Sequence, residues 1–522
     1  MKRLHPSALP TLPAAVRRPG FDRSALRGGI VHLGIGAFAR AHLAVMNDDA
    51  IEAGAGAGAG ADIGARHDTL AWGIHGVSLR QPATRDALMP QAGLYTVAVR
   101  DGSGSRLRVI GSLLDCIVAP ENPGAVLELI AHRDTRIVSL TVTEKAYGVD
   151  PASGLLQADH PDIRHDIHDA RAPRSAVGFI VHGLGLRRAR GLGPLTLMSL
   201  DNLPANGSTL RRLVLAFAQA IDPALSAWIG ARCTFPNSMV DRIVPRTTDA
   251  DRIAVASALG PKDGLTDAWP VLTEPFFDWA IEDHFAAGRP DWAAAGARIV
   301  SDVAAWETLK LRMVNGSHSA IAYLGLMAGW QTVDAATAKP ALRDFIEALM
   351  REEIEPTLTT LTGLAGLDLG PYRQQLLQRF ANPALAHRTH QIAMDGSQKL
   401  TQRLLGTLRD RLNAGQPVPR LALAVAAWLH HLRGVDEQGV AYNIDDPLAA
   451  PLQVLWQQAA AMPDALARAD MLTRYAPVFG DLAGVPALVS PLAAALESLR
   501  LRGVAATLLA TSGTAGERVF HG

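Results

Sequence analysis

The pattern of apolar and polar positions changes along the chain. Before residue 292, short apolar runs alternate with longer amphipathic stretches. The amphipathic stretches GAVLELIAHR (124–133) and STLRRLVLAFAQAI (208–221) predict helices. The short runs predict buried strands, and they are GGIVHLGIG (28–36), LAWGIHGVSL (70–79), RIVSLTV (136–142) and LTLMSL (195–200). Strands that alternate with helices predict a parallel, doubly wound sheet.

After GRPDW (288–292) long helical patterns dominate the chain, as in ALRDFIEALMREEI and LALAVAAWLHHL. We therefore predict two domains, an α/β domain over residues 1–292 and a mostly helical, all-α domain over residues 293–522. Residues 1–27 are expected to be an irregular lead-in. The Gly-Ala-rich segment 52–68 has no large side chains for a core and is expected to be a surface loop.

Composition excludes several classes of function. Of the 522 residues, 48% are apolar and 19% are charged, with 50 basic and 50 acidic side chains. A neutral chain argues against nucleic acid or an anionic membrane as the main partner. Two distant cysteines, Cys116 and Cys233, indicate no disulfide framework and favour the reducing cytoplasm. No apolar run reaches the roughly 20 residues of a membrane span, and no signal peptide is evident.

A glycine turn joins the first predicted strand to a helix. In HLGIGAFARAH (32–42), the spacing is Gly34-x-Gly36-x-x-Ala39. In Rossmann-type domains such a turn binds the pyrophosphate of a dinucleotide at the helix N-terminus. The alternative is a strand–turn–helix that needs glycine only for its backbone geometry. The dinucleotide interpretation predicts cofactor contacts from Gly34, Gly36, Ala37, Phe38 and Arg40.

The end of the second predicted strand does not decide whether the cofactor carries a 2′-phosphate. It ends in Ser78-Leu79-Arg80, without the Asp or Glu that holds a ribose 2′-hydroxyl. Arg80 is suited to a 2′-phosphate instead. We expect NAD as the cofactor, with NADP not excluded.

The segment KLRMVNGSH (310–318) places three polar side chains in an apolar helical pattern. At about 100° per residue, Asn315 lies near 140° and His318 near 80° from Lys310. Glu307 lies near 60° on the same scale, roughly on the same face. A solvated face or a helix-packing network is the alternative to a polar site in a cleft.

These residue types suit a redox step between a hydroxyl and a carbonyl group. A desolvated lysine can remove the hydroxyl proton and return it in the reverse direction. An asparagine N–H can stabilise the developing alkoxide. Neither task requires a metal ion.

The Lys310-x4-Asn315-x2-His318 pattern resembles the signature of the mannitol dehydrogenase family of polyol-specific long-chain dehydrogenases. Other segments are similar to family segments and occur in the family's order between about residues 28 and 405: IVHLGIGAFARAH, SLTVTEKAYG, MSLDNLPANG, FPNSMVDRIVP and TEPFFDWAIEDHF. The resemblance implies a Rossmann-type domain, a helical C-terminal domain with the active site between them, and NAD(P)-linked, metal-independent catalysis.

The resemblance also implies roles for particular residues. Lys310 is expected to be the general acid/base, with Glu307 beside it as a proton relay. Asn202, in SLDN, and Asn315 are expected to polarise the substrate oxygen, and His318 to bind a substrate hydroxyl.

Two further positions bear on the resemblance. Asp241, in MVDR, is similar to another active-site residue of the family. Ala39 stands where family members often carry histidine, a departure that affects details of cofactor contact but not the turn.

Within the family, TEKAY, NGSHS and IAMDGSQKLTQRLL resemble the fructuronate reductase branch more than the polyol branch. This implies interconversion of D-fructuronate and D-mannonate with NAD(H). A uronate carboxylate calls for a cation, and Lys145 and Lys399 are the candidates unless they are ordinary surface lysines. The alternatives are a dehydrogenase of mannitol, arabinitol or sorbitol, a tagaturonate reductase, or a catalytically silent dinucleotide-binding sensor. A small-molecule partner is expected, and the oligomeric state is open.

Two histidine-rich segments contain residue types that bind metals. HPDIRHDIHD (160–169) is polar throughout and favours a solvated loop or helix start. His430 and His431 are adjacent on a predicted helix, where their side chains diverge and cannot chelate together.

Overall fold

The computed structural model describes residues 2–56, 69–150, 153–260 and 264–513. The chain divides into two compact units, Met1–Val303 and Ala304–Gly522. The boundary predicted from the sequence lies near residue 292. The first unit of the structure extends further and includes the strand Arg298–Val300. No helix within the described ranges combines the length and the hydrophobicity of a membrane span.

The first unit contains the described strands, which we number in chain order: β1 (Lys2–Arg3), β2 (Gly28–Leu33), β3 (Gly73–Ser78), β4 (Tyr95–Asp101), β5 (Gly104–Ile110), β6 (Leu113–Val118), β7 (Ile137–Leu140), β8 (Thr196–Ser199), β9 (Ser238–Asp241), β10 (Leu265–Thr266), β11 (Val271–Thr273), β12 (Asp278–Glu282) and β13 (Arg298–Val300). Its α-helices are Ala37–Ala41, Leu43–Gly56, Ala83–Leu88, Pro123–Ile130, Pro161–His168, Ala176–Ala189, Asn206–Ile221, Pro223–Arg232 and Asp249–Leu259. Short 3-10 helices cover Pro6–Thr11, Arg23–Ala25, Met89–Gln91 and Glu144–Tyr147.

The main sheet has five parallel strands in the order β6-β3-β2-β7-β8, which confirms the predicted Rossmann-type topology. Alternate residues of β2 pack into two hydrophobic clusters, one on each face of the main sheet. Val31 and Leu33 pack with the helices Pro123–Ile130 and Ala176–Ala189, whereas Ile30 packs on the opposite face. Burial on both faces explains why these strands read as continuous apolar runs.

Three smaller sheets among the described residues were not predicted from the sequence. They have the orders β1-β10, β11-β4-β5 and β13-β12-β9. Several of their pairings join strands far apart in the chain, as in β4 with β11, and local periodicity does not reveal such partners. The predicted loop 52–68 is wrong at its start, because the helix Leu43–Gly56 continues into it. Residues 57–68 lie outside the described residues.

The second unit is helical, as predicted. Its α-helices are Ala304–Leu309, Ser317–Met327, Val333–Thr337, Pro340–Ala348, Glu355–Leu358, Gly370–Phe380, Thr389–Ala393, Gly396–Leu400, Gly406–Asn413, Pro419–His431, Ala449–Ala460, Ala465–Thr473, Ala476–Phe479 and Pro486–Gly513. A 3-10 turn covers Gly480–Leu482, and π-helical turns cover Lys310–Gly316, Leu349–Ile354 and Thr401–Leu405. The helix Pro419–His431 is buried from Leu421 onward and packs on Ser317–Met327 and Pro486–Gly513.

Candidate functional site

The glycine turn follows β2 at the centre of the main sheet, and its two glycines serve different purposes. Gly34 has φ +91°, and a Cβ there would lie 2.1 Å from the carbonyl oxygen of Thr141. The protein itself therefore requires glycine at this position. A Cβ on Gly36 would meet no atom closer than the Gly34 oxygen at 3.8 Å. Packing does not require glycine at position 36, which fits a backbone that must leave room for a pyrophosphate.

The helix that begins after Gly36 has the N-terminus expected of an anion site. Gly36 provides no side-chain cap for the helix Ala37–Ala41. Gly36, Ala37 and Arg40 line a cavity of about 680 Å³ together with Arg246, Arg252 and Asp249, and the Asp249 carboxylate pairs with Arg252. Uncapped N–H groups beside the Arg246 guanidinium favour a phosphate-bearing ligand.

Two predicted cofactor residues also have partners inside the protein. Arg40 is buried and donates a hydrogen bond of 2.7 Å to the Trp269 carbonyl oxygen, and burial lowers the pKa of Arg40 to about 10. The ring of Phe38 stacks on His42 with centroids 5.1 Å apart. Both residues therefore help to pack the helix that follows the turn.

Arg80 lines a second cavity, of about 470 Å³, beyond the carboxyl ends of β3 and β6. Ala119, His165 and Arg174 are also in its lining. In doubly wound sheets this is the region where the adenosine half of a dinucleotide binds. The presence of two arginines leaves the predicted choice between a ribose hydroxyl and a 2′-phosphate open.

Asn202 lies in a segment that is held by an interaction the sequence analysis missed. The Asp201 carboxylate accepts hydrogen bonds from the Val142 N–H (3.0 Å) and the Tyr147 hydroxyl (2.6 Å). The Tyr147 oxygen is also 2.7 Å from Ser199 Oγ. These bonds tie the segment after β7 to the segment after β8, which carries Asn202. The buried tyrosine of TEKAY and the aspartate of SLDN were the available signals.

Lys145 lies on the same connection. Its backbone belongs to the 3-10 helix Glu144–Tyr147 after β7. The Lys145 side chain lies outside the described part of the structure.

Asp241 ends β9 and is buried. The neighbouring Arg242 donates hydrogen bonds to the carbonyl oxygens of Ala41 (2.6 Å) and Glu274 (3.1 Å), and the Glu274 carboxylate accepts from the Ile243 N–H. Burial lowers the pKa of Arg242 to about 10. The segment with Asp241 is thereby joined to the end of the helix that follows the glycine turn.

In the second unit, the helix with Lys310 changes its hydrogen-bond pattern at that residue. Ala304–Leu309 is α-helical, Lys310–Gly316 is π-helical, and Ser317–Met327 is α-helical again. In a π-helix, bonds join residues five apart, so each residue turns by less than about 90°. The α-helical angle predicted for Asn315 is therefore wrong. Asn315 lies five residues after Lys310, so its angle from Lys310 is smaller than the predicted 140°.

The polar residues of this helix are buried or half-buried. Lys310 is 9% exposed, and Glu307, Asn315 and His318 are half-buried. These exposures argue against the alternative of a freely solvated helix face.

The ring of His318 packs against a neighbouring helix and loop. Its centroid is 4.5 Å from that of Phe380 and 5.8 Å from that of His387. Burial, together with the charge of Arg379, lowers the pKa of His387. His387 is therefore a neutral ring beside His318.

Gly316, between Asn315 and His318, has a packing role. A Cβ at this position would lie 2.8 Å from the carbonyl oxygen of Arg403, in the π-helical turn Thr401–Leu405. Glycine thus lets two π-helical turns approach each other closely.

Lys399 already has partners. Its ammonium donates to the Met394 carbonyl oxygen at 2.6 Å and lies 3.6 Å from the Asp395 carboxylate. Burial lowers the pKa of Lys399. A substrate carboxylate would have to compete with these two contacts.

Polar side chains of the two histidine-rich segments contact other groups of the protein. Asp166 is buried and accepts hydrogen bonds from the Arg174 and Ser175 N–H groups, at the start of the helix Ala176–Ala189. His430 lies edge-on to Trp456, while His431 stacks on Tyr442, so the two rings diverge as predicted. The described residues contain no cluster of three metal-ligating side chains.

Comparison with known families gives two matches that together span most of the chain. The Mannitol dehydrogenase Rossmann domain matches residues 28–294. The Mannitol dehydrogenase C-terminal domain matches residues 302–500.

Three individual proteins are similar over most of their length. D-mannonate oxidoreductase from Escherichia coli (strain K12) is 45% identical over 443 residues, 84% of this chain and 87% of the relative. Mannitol 2-dehydrogenase from Phaeosphaeria nodorum is 39% identical over 496 residues, 94% and 82% of the two chains. The structure of Pseudomonas fluorescens mannitol 2-dehydrogenase in a ternary complex with NAD and D-mannitol is 36% identical, covers 98% of this chain and 99% of that one, and has a TM-score of 0.75.

Proposed function

The chain belongs to the mannitol dehydrogenase family, and we propose that it interconverts D-fructuronate and D-mannonate with NAD(H). The relatives to which it is similar are dehydrogenases that act on CH–OH groups. The observation that carries the proposal is the polar face around Lys310. A buried lysine with an asparagine in the same π-helical turn suits proton transfer to an oxygen whose charge is stabilised nearby.

The glycine turn would hold the cofactor. The space above Gly36 and the uncapped N-terminus of the helix Ala37–Ala41 fit a dinucleotide pyrophosphate. When bound, NAD supplies the hydride acceptor and NADH the donor. In the related Pseudomonas fluorescens structure the bound cofactor is NAD.

The protein's own groups would handle the proton and the charge. The Lys310 amine takes the hydroxyl proton during oxidation and returns it during reduction, with Glu307 relaying the proton. Lys310 is buried, and a lysine inside a cleft is suited to general acid/base catalysis. Asn202 and Asn315 donate N–H groups to the substrate oxygen.

The remaining proposed contacts orient the substrate. His318 binds a substrate hydroxyl, and its ring is held against Phe380. Asp241 accepts a hydrogen bond from another hydroxyl group. Its buried position, with Arg242 anchored to two carbonyl groups, makes it a rigid acceptor.

The choice of a sugar acid rests on the similarity to D-mannonate oxidoreductase and on the candidate cations for a carboxylate. Lys145 follows β7 in a segment tied to that of Asn202 through Asp201. Lys399 is held by Met394 and Asp395, and we expect it to contribute less than Lys145.

A panel of substrates tests this function. NADH and NADPH are each supplied with fructuronate, tagaturonate, fructose and xylulose, and oxidation is followed spectrophotometrically. We expect the highest kcat/KM with fructuronate and NADH. Lys310→Met should lower kcat by about 10²- to 10⁴-fold, the usual contribution of a general acid/base. Higher kcat/KM with fructose would establish the second candidate, a mannitol 2-dehydrogenase, which the similarity to such enzymes supports.

The carboxylate contact has its own test. Lys145→Met and Lys399→Met are compared on fructuronate and on fructose, which lacks the carboxylate. Lys339→Met is the matched control, because the Lys339 ammonium lies over the Trp330 ring at 5.9 Å and has no proposed role. We expect Lys145→Met to reduce kcat/KM for fructuronate by at least about tenfold more than for fructose. Equal losses on both substrates would contradict the carboxylate role.

A further inference from the structure

His32 is a fully buried histidine in the central strand β2, directly before the glycine turn. Its Nδ1 atom is 2.8 Å from Ser139 Oγ and its Nε2 atom is 3.0 Å from Thr141 Oγ1. Burial lowers the pKa of His32 to about 3, against a smaller opposite effect of the Gly34 backbone. The ring is therefore neutral and has one N–H group to donate.

The hydrogen bonds around His32 run in one direction. Thr141 Oγ1 lies 2.8 Å from the carbonyl oxygen of Gly34. A carbonyl has no proton to give, so the Thr141 hydroxyl donates to it. Nε2 of His32 must then carry the ring proton and donate to Thr141. Nδ1 is left as an acceptor, and the Ser139 hydroxyl donates to it.

This chain of bonds ends on the carbonyl oxygen of Gly34. That oxygen accepts one hydrogen bond within the turn, from the Gly36 N–H at 2.6 Å, and a second from the Thr141 hydroxyl. The N–H of the same peptide, that of Ile35, donates to the Val77 carbonyl oxygen at 3.2 Å. The orientation of this peptide sets the direction of the N–H groups in the helix that follows.

We propose that His32 is a positioning residue, which through Thr141 holds the peptide after Gly34 in the orientation that a dinucleotide pyrophosphate requires. The inference rests on the dinucleotide binding of the proposed function. It assigns His32 no contact with the cofactor, the substrate or the reacting atoms. Its effect is therefore on cofactor affinity rather than on the chemical step.

The first test uses a pair of variants at Thr141 in the full-length protein. Thr141→Val keeps the shape of the side chain and removes the hydroxyl, whereas Thr141→Ser keeps the hydroxyl. We expect Thr141→Val to raise the Kd and the KM for NADH about five- to tenfold, the effect of one lost hydrogen bond, with kcat changed less than about twofold. Thr141→Ser should restore most of the affinity.

Thr196→Val is the matched control for a loss of stability. Thr196 is a buried threonine of β8 whose hydroxyl accepts hydrogen bonds from Thr234 and from the Ala286 N–H. Its removal disturbs the same sheet away from the turn, so NADH affinity should be unchanged. Equal affinity losses in Thr141→Val and Thr196→Val, or no loss in Thr141→Val, would overturn the proposal.

The second test is independent of any ligand. In ¹⁵N-labelled protein, the imidazole signals of His32, assigned by their absence in His32→Gln, should show the Nε2–H tautomer unchanged between about pH 5 and pH 8. An Nδ1–H tautomer would overturn the proposed direction of the bonds. If the wild-type protein binds neither NADH nor NADPH, the proposed function fails, while the tautomer still decides whether the chain of bonds exists.

Discussion

The two glycines of the turn allow a direct test of cofactor binding, because only one of them is required by the fold. In Gly36→Ala, the new methyl group points into space that contains no protein atom within 3.8 Å. The backbone at Gly36 has φ −78° and ψ −172°, an extended conformation open to alanine. The variant should therefore fold like the wild type.

The expected effects on stability and on binding differ greatly. Alanine is a slightly poorer N-cap than glycine, but it reduces the entropy of the unfolded chain, so the net change should be within about 1 kcal/mol. A pyrophosphate pushed away by the methyl group would lose about two charge-assisted hydrogen bonds, roughly 3–5 kcal/mol. That corresponds to an increase of about 10²- to 10³-fold or more in the Kd for NADH.

The assay is NADH fluorescence titration, with thermal unfolding measured on the same samples. Gly124→Ala is the matched control, since a Cβ there has no neighbour closer than 3.9 Å and the residue also lies near a helix start. Gly34→Ala should instead unfold at markedly lower temperature, because its Cβ would overlap the Thr141 carbonyl. Wild-type NADH affinity in Gly36→Ala would refute the assignment of this turn to the cofactor.

Three further predictions concern buried residues: Asp48 in the helix Leu43–Gly56, Tyr147 and Gly316. Burial raises the pKa of Asp48 from 3.8 to about 6, so the folded state binds this proton more tightly than the unfolded chain. The protonated Asp48 carboxyl therefore contributes about 3 kcal/mol to the free energy of unfolding. This contribution is complete below the pKa of Asp48 in the unfolded chain and is lost as the pH rises through the pKa in the folded state. Urea unfolding should show the difference between wild type and Asp48→Asn changing by that amount between about pH 4 and pH 7, and a constant difference would exclude the raised pKa. Tyr147→Phe removes a buried hydroxyl from its carboxylate and hydroxyl partners, and the free energy of unfolding should fall by about 1–3 kcal/mol; an unchanged value would mean that the hydrogen bonds of Tyr147 to Asp201 and Ser199 do not stabilise the protein. Gly316→Ala should destabilise the protein by about 1–3 kcal/mol through the contact with the Arg403 carbonyl, whereas Gly230→Ala, on a helix with an ordinary Cβ distance of 3.5 Å, should be neutral or stabilising.

Much of the architecture could be predicted from the sequence because its signals are local. Continuous apolar runs predicted four of the five strands of the main sheet, but not the edge strand β6. The glycine spacing predicted a turn at the end of β2. The helical state of the segment from Glu307 to His318 also follows from its apolar pattern. These features depend on neighbours along the chain, which the sequence contains directly.

Only the tertiary structure decided the features that join distant residues. His32 meets Ser139 across 107 positions, and Gly316 owes its lack of a side chain to a carbonyl group in another helix. The π-helical turn that reduces the angle between Asn315 and Lys310 has no signature in the periodicity, since it depends on which hydrogen bonds the packed helix adopts. The engagement of Lys399 by Met394 is equally invisible in the sequence. Hydrophobic patterning specifies which face of an element is buried, but the partner of each buried polar group is known only once the chain has folded back on itself.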